Sequence, residues 1–334
     1  MSNKRILFLI IIFLIILAGV TYFLISQPKQ KTQEKIYKIG LLQMSTPVNL
    51  NIDGFKAGMA ELGYIEGKNV EYTFLNAEGD TNLIVQYAQD LVKIKPDLIF
   101  TNTSPAAQAA KEATVNSTIP VVFSMVADPV RAGFVASVQS SGNNLTGTSC
   151  AYIDIAGKRL KFLKEAIPTI KKVLVFYRPG DKSGEPATEE IKKTATKLGI
   201  EIIAKPVANS DEIKQALKNL KEKEVDALMD PGDSMVNANA DSLIEASLRL
   251  KIPLIMLGDR EAESGSLISY GVDYFDLGKQ SARLAAKVLE GGSPSEIPIE
   301  MPRIFRIVIN LKTASQIGVT LPENVVARVD RIIK

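Results

Sequence analysis

Short apolar runs and longer stretches of helical apolar spacing alternate along the chain from residue 36 onward. The runs at 36–42, 98–100, 121–123, 173–177 and 304–309 predict strands. Those at 98–100 and 121–123 are apolar throughout, as expected of strands buried on both faces of a parallel sheet. Residues 53–62 carry Phe55, Met59 and Leu62 at i, i+4 and i+7, one face of an amphipathic helix that Gly63 stops. Helical spacing recurs at 83–92, 189–198 and 211–220, and at 160–167, where Pro168 ends it. Ser210-Asp211 predicts the cap of the helix at 211–220. The stretch 271–278 opens a further helix that runs to Leu289 and ends at Gly291-Gly292. This alternation predicts parallel sheets with right-handed crossovers.

The pattern is also repeated. Leu62-Gly63, a strand at 69–74, a strand opening on Pro96-Asp97 and a strand opening on Ile119-Pro120 follow one another in the first half. Leu198-Gly199, a strand at 200–203, a strand opening on Val225-Asp226 and one opening on Ile252-Pro253 follow in the second. Two similar α/β lobes in one chain enclose a cleft, and such a cleft suits closure on a small molecule. The expected division is residues 36–148 with 271–300 in lobe one, and 149–270 with 301–334 in lobe two. The chain then crosses between lobes three times, near 147–151, 270–273 and 300–303, a three-strand hinge.

Ahead of the lobes, Lys4-Arg5 precede a mostly apolar stretch at 6–25. At about 1.5 Å per residue it matches the hydrocarbon core of a bilayer. It predicts an N-terminal transmembrane helix, an uncleaved single-pass anchor in preference to a cleaved signal segment, with the folded body on the extracytoplasmic side of the cell membrane. Residues 26–35 then form a polar tether, so that 1–35 stand apart from the lobes. The formal charge of +3 comes from this segment, where Lys4, Arg5, Lys29, Lys31 and Lys35 oppose Glu34 alone. The body is close to neutral, without a basic stripe, which argues against a nucleic-acid partner.

The 334 residues contain no His, no Trp and one Cys, Cys150. Without His there is no His-dependent triad and no His zinc site. No Gly-x-Ser-x-Gly elbow is present, and Gln43-Met44-Ser45-Thr46-Pro47 is not the Gly-rich turn of a dinucleotide site. An enzyme is therefore not expected, nor a metal or other cofactor. Cys150 reads as a packing residue.

Ligands of open α/β sheets sit beyond the carboxyl ends of the strands. The loops at those ends carry Ser45, Thr103, Ser104 and Asp128 in the first half, and Tyr177, Arg178, Asp233, Ser234 and Asp259 in the second. Pro105 suits the first helical position, which makes Ser104 the expected cap and the helix start an anion seat for a carboxylate. Asp128 or Asp233 offers a partner for an ammonium. Tyr177 and Tyr270 offer rings to stack on an apolar or aromatic part. Each of these residues also has a purely structural use, as cap, turn or packing; what favours binding is their convergence at strand ends.

The ordered series Thr101-Asn102-Thr103-Ser104-Pro105-Ala106-Ala107-Gln108, Ile119-Pro120-Val121-Val122-Phe123, Asp128-Pro129-Val130 and Gly142-Asn143-Asn144-Leu145-Thr146-Gly147 resembles the ABC-transporter substrate-binding proteins of the tryptophan/tyrosine type. Gly271-Val272-Asp273-Tyr274-Phe275-Asp276-Leu277-Gly278 and Asn310-Leu311-Lys312-Thr313-Ala314 extend the resemblance, which runs from about Tyr37 to Val326. It implies a type I periplasmic-binding-protein fold and capture of a small ligand, often an aromatic amino acid. It also implies ligand contacts at Thr103/Ser104, Asp128, the loop from Tyr177 and the loop of Asp233-Ser234. The expected function is capture of a small organic ligand, an amino acid among the candidates, for delivery to an ABC permease by a monomer. The alternative is a membrane-tethered sensing module that signals to a kinase or receptor partner.

Overall fold

The structure, a computed structural model, describes residues 35–44 and 49–334. The expected membrane segment at 6–25 and the candidate Ser45 lie outside the described residues. Among the described residues no helix is long and apolar enough to cross a membrane. Residues Tyr37–Lys334 form one compact unit.

The first part of this unit runs β1 (Tyr37–Gln43), α1 (Asn49–Glu61), β2 (Val70–Asn76), α2 (Thr81–Lys93), β3 (Leu98–Asn102), α3 (Ser104–Ala113), β4 (Val121–Val126) and β5 (Leu145–Ser149). Its strands pair in parallel in the order β2-β1-β3-β4-β5. The chain continues through α4 (Tyr152–Ala166), β6 (Lys172–Tyr177), α5 (Gly184–Leu198), β7 (Glu201–Pro206), α6 (Ser210–Asn219) and β8 (Ala227–Met229). Then come α7 (Ser234–Ala238), α8 (Ala240–Leu250), β9 (Leu254–Met256), α9 (Asp259–Ser264), β10 (Ile268–Val272) and α10 (Tyr274–Leu289). A 3₁₀ turn at Pro294–Glu296 leads to β11 (Phe305–Asn310), α11 (Leu311–Ile317), α12 (Glu323–Val326) and β12 (Arg331–Ile333).

The second sheet has the order β12-β11-β10-β9-β8-β6-β7. Its core β7-β6-β8-β9-β10 repeats the order of the first sheet, so the repeat in the sequence is a repeat of topology. The expectation of a wholly parallel second sheet is corrected by β11, which runs antiparallel to β10. The chain enters β11 from the hinge, from the end where β10 leaves the sheet, so the two strands must run in opposite directions.

Alternation along the strands builds a core on both faces of each sheet. Ile99 packs with Leu91, Ala106 and Phe123 beneath α2 and α3, while Leu98 and Phe100 pack with Phe55, Met59 and Leu284 beneath α1 and α10. In the second sheet Val173 and Val175 face Leu160 and Ile191, and Leu174 and Phe176 face Ile213 and Leu243. Helix α10 follows a strand of the second sheet yet packs on α1 at the first. The approach is so close that a Cβ on Gly278 would lie 2.1 Å from the Asn51 carbonyl oxygen.

The chain passes between the sheets after β5, after β10 and before β11. The crossing segments touch one another: Thr148 bridges Glu300 in parallel, and the Asp273 N–H donates to the Ile304 carbonyl at 3.3 Å. Helix starts differ in detail from expectation. Asn209, not Ser210-Asp211, caps α6 by accepting the Glu212 N–H at 3.0 Å.

Candidate functional site

A cavity of about 730 Å³ lies between the two sheets, lined by the loops that leave their carboxyl ends. This is within the usual range for a small-molecule site. On the first-sheet side it is bounded by the start of α3, the segment after β4 and Tyr274 at the start of α10. On the second-sheet side it is bounded by Tyr152, the loops after β6 and β8, and the start of α9.

The start of α3 is strained. Thr103 sits at φ 83°, ψ 158° and occupies the cap position, with Ser104 already helical, which corrects the expected cap. The Thr103 N–H donates to the Ser124 carbonyl at 3.0 Å, which fixes this turn against the end of β4. The Thr103 hydroxyl is buried with no hydrogen-bond partner among the described residues. No acidic residue stands in the first turn of α3, so its positive dipole end is uncompensated there. Met125 and Ala151 also have positive φ, at 58° and 53°. Such backbone costs about 1–3 kcal/mol per residue and clusters at functional sites. Asp128 accepts the Arg131 N–H at 2.9 Å and pairs with its Nε at 3.4 Å.

The second-sheet side is built on buried carboxylates. Asp233 is fully buried, and its carboxylate accepts N–H groups from Met235 at 2.8 Å, Val236 at 3.3 Å and Arg178 at 2.8 Å. It therefore caps α7 and ties the loop after β6 to the loop after β8. Burial raises its pKa against these three donors. Asp181 accepts the Ser183 and Gly184 N–H groups at the start of α5 and pairs with Arg178 at 3.1 Å. Beneath them Asp230 accepts the Gly232 N–H at 2.8 Å. Burial pushes its carboxyl up to about 6, although the neighbouring Arg159 guanidinium pulls the other way. Arg159 is itself fully buried, and its Nη1 donates to the Asp230 carbonyl at 2.6 Å.

Between the two sides, the hydroxyls of Tyr152 and Tyr274 lie 3.0 Å apart. The Tyr152 ring lies against Gly232, whose φ of +93° and lack of Cβ permit the contact: a Cβ there would stand 3.1 Å from the ring. Burial raises the pKa of both phenols, so both stay neutral. Cys150 nearby is buried and its thiol is pushed up to about 12, in keeping with packing. Arg260 and Glu261 line the cavity with side chains that make no hydrogen bond or ion pair with other described residues. Among the described residues no group of three or more metal-ligating side chains is placed to hold a metal ion.

Of the candidates from sequence, Thr103, Ser104, Asp128, Arg178, Asp233 and Ser234 line this cavity together. Tyr177, Asp259 and Tyr270 do not. Tyr177 is still inside the β6–β7 ladder, opposite Pro206. Asp259 turns toward the hinge, where it pairs with Arg306 at 3.3 Å, and Arg306 also bonds Asp273. Tyr270 lies mid-strand in β10 and packs edge-on against Phe162 at 5.8 Å, in a shallow groove with Lys158 and Arg328. Tyr270 sits before the end of its strand, where alternation turns it away from the cleft, whereas Asp259 opens a helix and is held by its ion pair with Arg306. Asp233, a candidate ammonium partner, has its carboxylate committed to backbone donors. Tyr152, Tyr274 and Glu261 were not anticipated, although two of them directly follow expected crossings.

A family profile described as ABC transporter substrate binding protein matches residues 43–333. A tyrosine-binding protein of Clostridioides difficile (strain R20291) is 33% identical over 291 residues, 86% of this chain and 83% of that protein. Among solved structures, an ABC domain from Streptococcus pneumonia in complex with L-Trp superposes with a TM-score of 0.82 at 28% identity, covering 90% of this chain and 100% of that one. A conserved domain protein from Vibrio cholerae gives a TM-score of 0.80 at 30% identity, covering 89% of this chain and 100% of that one.

Proposed function

The chain belongs to the ABC transporter substrate-binding protein family, and from that premise we propose that its cavity captures a free aromatic amino acid for an ABC permease. It is an extracytoplasmic binding protein, not an enzyme. The observation that carries the amino acid reading is the unpaired, buried Thr103 hydroxyl at the uncompensated start of α3. A ligand carboxylate supplies the acceptor this hydroxyl lacks and the anion this helix end favours. Asp128 offers negative charge for the ammonium. Met125, Phe134, Tyr152 and Tyr274 supply apolar and aromatic lining. The relatives that bind tyrosine and L-Trp support the same ligand class.

Residues 36–148 with 271–300 act as one lobe, and 149–270 with 301–334 as the other. A ligand that touches both binds the closed arrangement better and shifts the equilibrium toward it. The stretch at 6–25 anchors a monomer to the membrane, and the closed body docks on the permease. Nothing in the comparisons speaks for signalling to a kinase or receptor.

A thermal-shift series on the full chain with the common amino acids tests this reading. A ligand at a hundred times its dissociation constant adds about 2.7 kcal/mol. L-tyrosine or L-tryptophan is expected to raise the melting temperature. A shift from sugars or aliphatic amino acids, with none from aromatic ones, would overturn the proposal.

A further inference from the structure

We infer that the Tyr152–Tyr274 hydroxyl pair is the specificity-determining floor of the cavity, reading the hydroxyl or N–H at the tip of the ligand's aromatic side chain. The inference rests on the aromatic amino acid reading above and adds which aromatic side chains are accepted and why.

The two phenols hold two O–H donors, and one is spent on the 3.0 Å bond between them. The other remains, together with oxygen lone pairs. Both residues line the cavity. Met125, Cys150, Val272 and Leu277 form a small buried cluster against which both rings pack, and the Glu261 carboxylate stands near Tyr274. A spare donor in such a place is costly to leave unmet. The charged groups that suit an amino acid's head, Asp128 and the start of α3, belong to loops beyond β4 and β3. The phenols instead begin the two helices that leave the crossings, one on each side of the cleft. A ligand with its head at α3 and its ring between the lobes brings its tip to this pair.

The floor is also neutral. Burial raises both phenol pKa values, so neither oxygen carries charge at physiological pH. Glu261 adds acceptors beside it: a Cβ on Gly258 would lie 2.3 Å from the Glu261 carboxylate and 3.6 Å from the Tyr274 ring. A floor of phenols and a carboxylate has acceptors for a phenol O–H or an indole N–H, and a donor for a phenol oxygen. A phenylalanine ring or an aliphatic side chain answers neither. Hydrogen-bonding sites reject analogues that lack the matching group, because the site's own polar atoms are then stranded.

Isothermal titration of the full chain, purified in mild detergent, with L-tyrosine, L-tryptophan and L-phenylalanine provides the test. The native chain is expected to bind tyrosine and tryptophan about tenfold or more tightly than phenylalanine. In Tyr152→Phe and Tyr274→Phe the gap narrows, because tyrosine binding weakens while phenylalanine binding stays or improves. A loss of affinity for all three ligands alike would mark a structural role and overturn the inference. So would a gap of native size in both variants. If the native chain binds the three equally, the floor does not read the tip, while the aromatic amino acid reading stands. If it binds none of them, both fall. The native ratio needs no variant, so a misfolded substitution cannot shelter the inference.

Discussion

Thr103 joins a rare backbone conformation to a buried hydroxyl without a partner. Each is costly in a folded protein, and their coincidence at one helix start favours a binding role over simple capping. Thr103→Val keeps the branched shape and the backbone strain but removes the oxygen. It is expected to weaken amino acid binding about tenfold while leaving the unliganded melting temperature nearly unchanged. Thr103→Ser is expected to retain binding. Titration of both variants checks this, and unchanged affinity in Thr103→Val would remove Thr103 from the site. The sequence marked this residue through Pro105 and the strand before it, but placed the cap one position late. Ser104 is the better intrinsic cap, and only the bond from the Thr103 N–H to the end of β4 shows why the helix begins where it does. The phenol pair was less visible. The helical spacing recognised at 160–167 is diluted at the start of α4 by Asp154, Gly157 and Lys158, and Arg159, a polar residue by sequence, is fully buried.

At the scale of elements, that same Arg159 joins α4 to the end of β8. Its guanidinium holds the Asp230 carbonyl, while the Asp230 carboxylate shapes the turn leading to Asp233. Asp230 titrates at about 6 in the folded chain against an ordinary 3.8. A carboxyl raised in this way binds more protons when folded than when unfolded across that window. Its contribution to stability therefore falls as pH rises from about 4 to about 6. Asp230→Asn keeps an acceptor for the Gly232 N–H and removes the titration. Its melting temperature relative to the native chain is expected to improve on going from pH 4 to pH 7. A difference that stays flat would contradict the burial of a raised carboxyl. Elements were the most legible level in the sequence, because β3 and β4 each open on three consecutive apolar residues and Gly199 stops α5. Edge strands and caps were less so: Asn209, Ser210 and Asp211 are three cap-competent residues in a row, and packing chooses among them.

At the scale of the molecule, the described residues from Tyr37 to Lys334 form two sheets of repeated strand order joined by three neighbouring segments, with a cavity lined by polar and aromatic side chains between them. The repeat could be read from the sequence because each half repeats the same order of helix stops and strand openings. The packing of α10 back onto α1 depends on contacts between residues more than two hundred positions apart, such as Asn51 Nδ2 donating to the Tyr274 carbonyl, and the antiparallel run of β11 depends on its pairing with β10, with Ile268 opposite Ile309. No local pattern encodes them. The chain contains no tryptophan, so the indole emission of added L-tryptophan reports on the ligand alone. Titrating the full chain into L-tryptophan, excited where tyrosine does not absorb, tests capture in the cleft directly. The predicted result is a saturable blue shift as the indole leaves water, reversed by excess L-tyrosine. An emission spectrum identical to that of free L-tryptophan, with the folded chain in large excess, would contradict the account.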